Sequence, residues 1–93
     1  MSHPYIDLET RDRLIHQSIE TIEVLSSRYD RGQVDTLGFF EELGRWTRET
    51  SEMLQTAVNS KTAEGFNACN LVEDKKKYLV KLIDHGRKRV VLS

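Results

Sequence analysis

The residues of this chain that could do chemistry are few, and they follow no catalytic or metal-binding spacing. Histidine occurs at His3, His16 and His85, and cysteine occurs once, at Cys69. A zinc site needs three or four His, Cys, Asp or Glu side chains that converge on one point. The sequence has neither an HxxxH nor a CxxC pair. We therefore expect no metal and no cofactor, and we expect Cys69 to be a small buried apolar side chain.

The carboxylates and glycines also lack a catalytic arrangement. Glu41 and Glu42 are adjacent, and adjacent helical side chains point about 100° apart, so these two carboxylates do not converge. The five glycines are isolated rather than clustered in a phosphate-binding loop. Nucleophilic catalysis needs a serine or cysteine beside a base that a third group orients, and the sequence supports no such set. We expect that the protein is not an enzyme.

Aromatic and arginine side chains are concentrated in one part of the chain. The centres of protein interfaces are enriched in Trp, Tyr, Phe and Arg. The neighbouring apolar residues Phe39, Leu43 and Met53 are expected to build the core instead. The candidate partner-binding residues are Phe40, Arg45, Trp46 and Arg48.

Charge is distributed unevenly along the sequence. Residues 1–60 contain six arginines and eleven acids, a balance of −5, whereas residues 61–93 contain eight cations and four acids, a balance of +4. Such asymmetry is compatible with an acidic protein partner, a nucleic acid, self-association of opposite ends, or plain solvation of a charged face. Within 75–89 the predicted basic patch consists of Lys75, Lys76, Lys77, Lys81, Arg87, Lys88 and Arg89.

Length and composition bound the architecture that must position these residues. The 93 residues are 38% hydrophobic and 31% charged, which predicts a single helical domain over 1–93 with a modest core. Small cores are often completed by association, so we expect a homo-oligomer, with a dimer favoured. The net charge of −1 excludes a globally polybasic nucleic-acid binder.

The sequence also predicts where the protein works. No apolar run approaches the roughly 18 residues of a membrane-spanning helix. Residues 1–12 are polar and include acids, unlike a signal peptide. A single cysteine excludes an intramolecular disulfide framework. We therefore expect a cytoplasmic protein without membrane contact.

The first helix is predicted over 7–31. Asp7 is a suitable N-cap, and apolar residues that include Ile15 and Ile22 recur every seven positions, which is typical of an amphipathic helix. Gly32 after the basic Arg31 predicts a left-handed stop. A helix of this length would be roughly 37 Å long, so the bundle is expected to be elongated.

The second helix is predicted over 35–58, beginning at the N-cap Asp35. Its apolar face is wider than a single neighbouring helix requires. Gly44, Thr47 and Ser51 form a narrow strip of small residues along the same helix. A glycine in mid-helix costs about 1 kcal/mol against alanine. Either another backbone approaches the strip closely, or this is an ordinary imperfect helix.

The third helix is predicted over 71–85, after a connector at 59–70 with room for a short helix. An alternative joins 61–85 into one long helix. Gly86 should end the helix. The basic and apolar tail, 87–93, would then pair as a short strand, pack on the end of the bundle, or fray.

These expectations combine into one architecture and two functions. The fold class is all-α: a small bundle of three main helices with a basic C-terminal tail. The first function is a non-catalytic regulator, inhibitor or adaptor that binds a larger protein partner through a helical surface. The alternative is a nucleic-acid-binding protein that uses the segment 75–89.

Overall fold

The computed structural model describes the backbone of residues 8–92 and the side chains of residues 9–84. Every element in this part of the chain is an α-helix, which confirms the all-α prediction. The described residues form four helices, and the shortest of them lies in the predicted connector. They are α1 (Leu8–Asp30), α2 (Thr36–Ala57), α3 (Ser60–Ala68) and α4 (Val72–Leu92).

The turn between α1 and α2 follows the sequence signals closely. Gly32 has a φ of 75°, in the left-handed region, and its N–H donates to the carbonyl of Tyr29 at 3.0 Å, so the predicted helix stop is confirmed. Asp35 is the N-cap of α2, and its Oδ1 accepts from the N–H of Gly38 at 2.7 Å. The predicted N-cap Asp7 lies outside the described residues.

The predicted connector contains α3. Asn59 caps this helix because its Oδ1 accepts from the N–H of Thr62 at 2.7 Å. The helix ends at Ala68, and Cys69 has extended backbone angles of φ −75° and ψ 125°. The alternative of one continuous helix over 61–85 is therefore wrong.

The last helix continues beyond its predicted end. The sequence placed its stop at Gly86, but α4 runs through this residue to Leu92. A mid-helix glycine costs only about 1 kcal/mol, and good helix formers follow it. The prediction that 87–93 forms a strand or a frayed tail is wrong for the backbone of 87–92, which is helical.

The helices pack in a ring around a continuous core. The helix α1 contacts α2 and α4, and α3 contacts the same two helices from the other side. The predicted stripe of α1 is confirmed, since Ile15 and Ile22 are fully buried. The molecule is elongated, with extents of 46 × 31 × 21 Å. The buried apolar residues are Ile15, Ile22, Leu25, Trp46, Leu54, Ala63, Phe66, Leu79 and Ile83.

Candidate functional site

An open groove lies between α1 and α2. The two helices run antiparallel, and their facing side chains leave a hollow of about 640 Å³. We call it the α1–α2 groove. It is lined by Gln17, Glu20, Thr21, Val24, Leu25, Arg28, Glu42, Arg45, Trp46 and Glu49.

The groove continues along α1 into a smaller hollow of about 190 Å³ that reaches Leu14 and Met53. The α1 residues from Leu14 to Arg28 thus line its full length, and this span is about 21 Å at 1.5 Å per residue. A helix of roughly four turns has the same length. The groove is therefore long enough for one short helix of a partner.

A hydrogen-bonded set of side chains holds the floor of the groove. The indole Nε1 of Trp46 donates to the carbonyl of Ser18 at 2.8 Å. The Ser18 Oγ and the Thr50 Oγ1 share a hydrogen bond of 2.5 Å. All three residues are buried, so these bonds fix how α1 and α2 lie against each other and keep the floor rigid.

Charged side chains surround an apolar centre. At the centre is Val24, which is 58% exposed and has polar residues of α1 on both sides. The lining residues include three glutamates and two arginines. One of the possible pairs is formed, between the Arg45 Nη1 and the Glu42 Oε1 at 3.2 Å. Such a surface suits an apolar side chain that is flanked by charged groups.

The structure separates the four predicted partner-binding residues. Arg45 and Trp46 line the groove, whereas Phe40 and Arg48 do not line it and are exposed elsewhere on α2. Trp46 is 4% exposed and belongs to the core. It supports the groove from below, and its assignment as a partner-binding residue stays a prediction.

Sequence reasoning missed Val24 and the acids Glu20 and Glu49. These residues lie off the heptad stripe of α1 and off the apolar face of α2, so the patterns that predicted the helices did not point to them. A signal was present for one of them, because Val24 lies on a helix face between Glu20 and Arg28, each four positions away. Val24 faces a groove only because α2 packs beside it, and the sequence of α1 does not determine where α2 packs.

The described cations of the predicted basic patch do not all lie on one exposed surface. Lys75 is buried, and its Nζ donates to the carbonyls of Phe66 at 3.2 Å and Cys69 at 2.6 Å. The Nζ of Lys76 lies 3.9 Å from a carboxylate oxygen of Glu23 on α1 and also pairs with Glu73.

The remaining predicted cations lie on the outside or beyond the described side chains. Lys77 and Lys81 are exposed on α4. The backbone of Arg87, Lys88 and Arg89 is helical, and their side chains lie outside the described residues.

Tyr78 joins α4 to α3 beside Lys75. Its hydroxyl donates to the carbonyl of Thr62 at 2.9 Å. Burial, with a smaller contribution from nearby Cys69, raises the pKa of the Tyr78 phenol above its ordinary value. The thiol of Cys69 donates to the carbonyl of Gly65 at 3.5 Å and is partly exposed. These contacts are structural: the Tyr78 hydroxyl ties α4 to the first turn of α3, and the Cys69 thiol donates to a carbonyl in the last turn of α3.

Neither a metal cluster nor a membrane-spanning helix is found in the described part of the chain. No three His, Cys, Asp or Glu residues there are placed to hold a metal ion. No helix there is long and apolar enough to cross a bilayer. Comparison of the chain with models of known families, with curated protein sequences and with solved structures finds no match.

Proposed function

We propose that the protein is a non-catalytic regulator, inhibitor or adaptor that binds an amphipathic helical segment of a larger protein in the α1–α2 groove. We further propose that it acts as a homodimer. The observation that carries the first proposal is the groove itself, with an exposed Val24 above the rigid floor around Trp46. The cytoplasmic location expected from the sequence stays a prediction.

The length and lining of the groove support a helix as the occupant. Amphipathic helices dock in such grooves through apolar residues at helical spacing. One apolar residue of the partner would contact Val24. A second, nearly three turns away because Val24 and Leu14 are about 15 Å apart along α1, would lie toward Leu14 and Met53, which line the smaller hollow. Removing these apolar surfaces from water would supply the affinity.

The charges at the rim support a partner helix with basic flanks. In the described part of the chain, Glu20 and Glu49 form no ion pair, and both line the groove. Exposed charges contribute more to orientation and association rate than to affinity. Lysine or arginine residues beside the apolar positions of the partner would therefore set its direction in the groove.

The alternative function, nucleic-acid binding through 75–89, has less support. Lys75 is directed to backbone carbonyls and Lys76 lies near two carboxylates. Each is thereby less able to contact a phosphate. Two exposed cations of α4, Lys77 and Lys81, are left among the described side chains of this segment.

A photo-crosslinking experiment tests the groove. A photoreactive amino acid replaces Val24 in one variant and Val80, which is 45% exposed on α4, in a matched control. Both are irradiated in extracts of the organism that encodes the chain, and mass spectrometry identifies the products. We expect a product specific to position 24. The identified partner is then purified, and its affinity is measured by calorimetry.

The affinity measurement decides the proposal. A carboxylate in an apolar contact is costly, so Val24→Glu should weaken binding of the purified partner about tenfold or more, a loss of about 1.4 kcal/mol. Val80→Glu should change the affinity less than about twofold. Equal crosslinking at both positions, or equal affinity of both glutamate variants, would overturn the proposal.

A further inference from the structure

The helix α2 has a second exposed surface, on the side away from the groove floor. Leu37 is 71% exposed and Phe40 is 60% exposed. Together with Glu41, Gly44 and Arg48 they lie on one face, because these positions follow the three- and four-residue spacing of a helix. All five positions are exposed. The ring of Phe40 meets the ring of Phe39 edge-on, with the two centroids 5.8 Å apart. We call these five residues the outer face of α2.

Gly44 on this face has no explanation within the subunit. A Cβ atom added to Gly65 would overlap the ring of Tyr78, and one added to Gly38 would lie 2.9 Å from the Asp35 Oδ1. A Cβ added to Gly44 would meet no atom within 4 Å. Glycine lowers helix stability relative to alanine. A glycine on an exposed helix face does permit the close approach of a second backbone.

The charges of the outer face are complementary to themselves. Among the described residues, neither Glu41 nor Arg48 forms an ion pair. They are seven positions apart, about 10.5 Å along the helix, so they do not pair within α2. If two copies of α2 cross antiparallel beside Gly44, Glu41 of each copy faces Arg48 of the other. The pairing occurs twice, as two-fold symmetry requires.

We propose that the outer face of α2 is a homodimer interface in which two copies of the chain cross antiparallel at Gly44. This inference rests on the homodimer part of the proposed function and assigns it a surface distinct from the groove. Leu37 and Phe40 of each copy become buried, and Phe40 lies near the guanidinium of Arg48 in the other copy. The antiparallel arrangement also aligns the helix dipoles favourably.

The size of this interface sets the expected affinity. One helix from each subunit buries an area at or below the low end for specific complexes, roughly 1,200 Å² in total. We therefore expect a dimer that dissociates in the micromolar range. Sedimentation velocity from about 5 to 500 μM protein measures the dissociation constant across that range.

The first pair of variants tests the apolar part of the face. Phe40→Glu places a carboxylate in the proposed contact and should raise the dimer dissociation constant at least about tenfold. Val80→Glu makes a comparable change at an exposed position of α4 and should leave the constant within about twofold. Circular dichroism melts at low concentration check that both variants are folded.

A charge reversal tests the antiparallel register. Glu41→Arg or Arg48→Glu alone places like charges opposite each other and should weaken the dimer about fivefold. The double variant, Glu41→Arg with Arg48→Glu, restores opposite charges across the two-fold axis. It should bring the dissociation constant back to within about twofold of the unmodified chain.

The outcomes separate this inference from the proposed function. A monomer at every concentration overturns both the interface and the homodimer, and leaves partner binding in the groove intact. A dimer that tolerates Phe40→Glu, or that the double charge reversal fails to restore, overturns the interface alone. Concentration-dependent dimers with the expected loss and restoration support it.

Discussion

Lys75 shows how a cation that looks like part of a basic surface can serve the backbone instead. Its ammonium group donates to two carbonyls at the end of α3 and lies 4.8 Å from the centroid of the Phe66 ring. The last carbonyls of a helix have no partners within the helix and carry partial negative charge. A buried lysine at this point supplies both hydrogen bonds and opposite charge.

Substitution of Lys75 by methionine should therefore destabilise the fold. Methionine keeps most of the apolar stem but removes the ammonium donor from the carbonyls of Phe66 and Cys69. The Phe66 carbonyl keeps its bond from the Cys69 N–H at 3.2 Å, so the loss falls mainly on the Cys69 carbonyl and should cost about 1–3 kcal/mol. Lys77→Met, at an exposed position of α4, should change stability by less than about 0.5 kcal/mol. Urea denaturation followed by circular dichroism measures both, and equal midpoints would contradict the assigned role.

Gly65 is required because the ring of Tyr78 crosses α3 at this point. A Cβ atom would overlap the phenol, so Gly65→Ala should destabilise the protein by about 1–3 kcal/mol despite the better helix propensity of alanine. The cost should fall by about 1 kcal/mol when Tyr78→Phe removes the nearest oxygen. Gly44→Ala, with open space around it, is the control and should stabilise the monomer. Thermal melts at low protein concentration measure all of these variants.

The raised pKa of Tyr78 predicts a loss of stability at alkaline pH. Burial favours the neutral phenol in the folded state, so the folded protein binds more protons than the unfolded chain above pH of about 10. The stability that Tyr78 contributes is fully present below the pKa of the phenol in the unfolded chain. It is lost as pH rises through the higher pKa of the phenol in the folded protein. Tyr78→Phe should flatten the fall in melting temperature above about pH 10. Parallel curves for both proteins would refute this assignment.

The packing of α1 on α2 depends on a pair of buried hydroxyls. Ser18 and Thr50 hydrogen-bond to each other across the two helices. Ser18→Ala or Thr50→Val alone leaves one buried hydroxyl without this partner, which costs about 1–3 kcal/mol. The double variant removes both and should be closer to the unmodified protein than either single variant. Denaturation midpoints of all four proteins give the coupling energy, and simple additivity would contradict the pairing.

The helices that sequence reasoning located well carry their own signals. The start of α2 at Asp35 and the stop at Gly32 depend on local hydrogen bonds that those residue types make. Gly86 failed as a stop because a glycine ends a helix only when its backbone turns left-handed, and among the described residues only Gly32 does. Whether a helix ends at a glycine or continues through it depends on tertiary contacts, which the local sequence does not determine.

The candidate site was less predictable than the fold. The predicted partner-binding residues all lie on α2, and Arg45 is one of the two that line the groove. It could not identify Val24, because a groove needs two helices and its position depends on the register of their packing. It also could not show that Trp46 is turned inward, since the indole finds its acceptor on α1, 28 residues earlier in the chain.

The fold brings part of the acidic half of the chain against the basic half. The helix α4 packs on α1, and Lys76 of the first lies 3.9 Å from Glu23 of the second. Some of the charge asymmetry seen in the sequence is thus offset inside one subunit. The remaining charges on the described surface are of both signs. Acids lie on α1 and α2, and the exposed Lys77 and Lys81 lie on α4.

This charge distribution predicts that the protein binds nucleic acid weakly. Each phosphate contact adds about 0.9 to the slope of log affinity against log salt, and four contacts would give a slope of about −3 to −4. The balance of −5 over residues 1–60 repels a polyanion from most of the surface. Fluorescence anisotropy with duplex and single-stranded DNA, from about 50 to 300 mM salt, should show no micromolar binding at about 150 mM.

The variant that decides this prediction replaces Lys76, Lys77 and Arg87 with alanine. Because weak binding is expected from the start, the triple substitution should leave the anisotropy unchanged. Micromolar or tighter affinity at about 150 mM salt, with a steep salt slope that the triple substitution flattens, would instead favour a nucleic-acid function. Binding of the purified groove partner is the positive control, because a chain that holds its partner is folded and active in the same buffer.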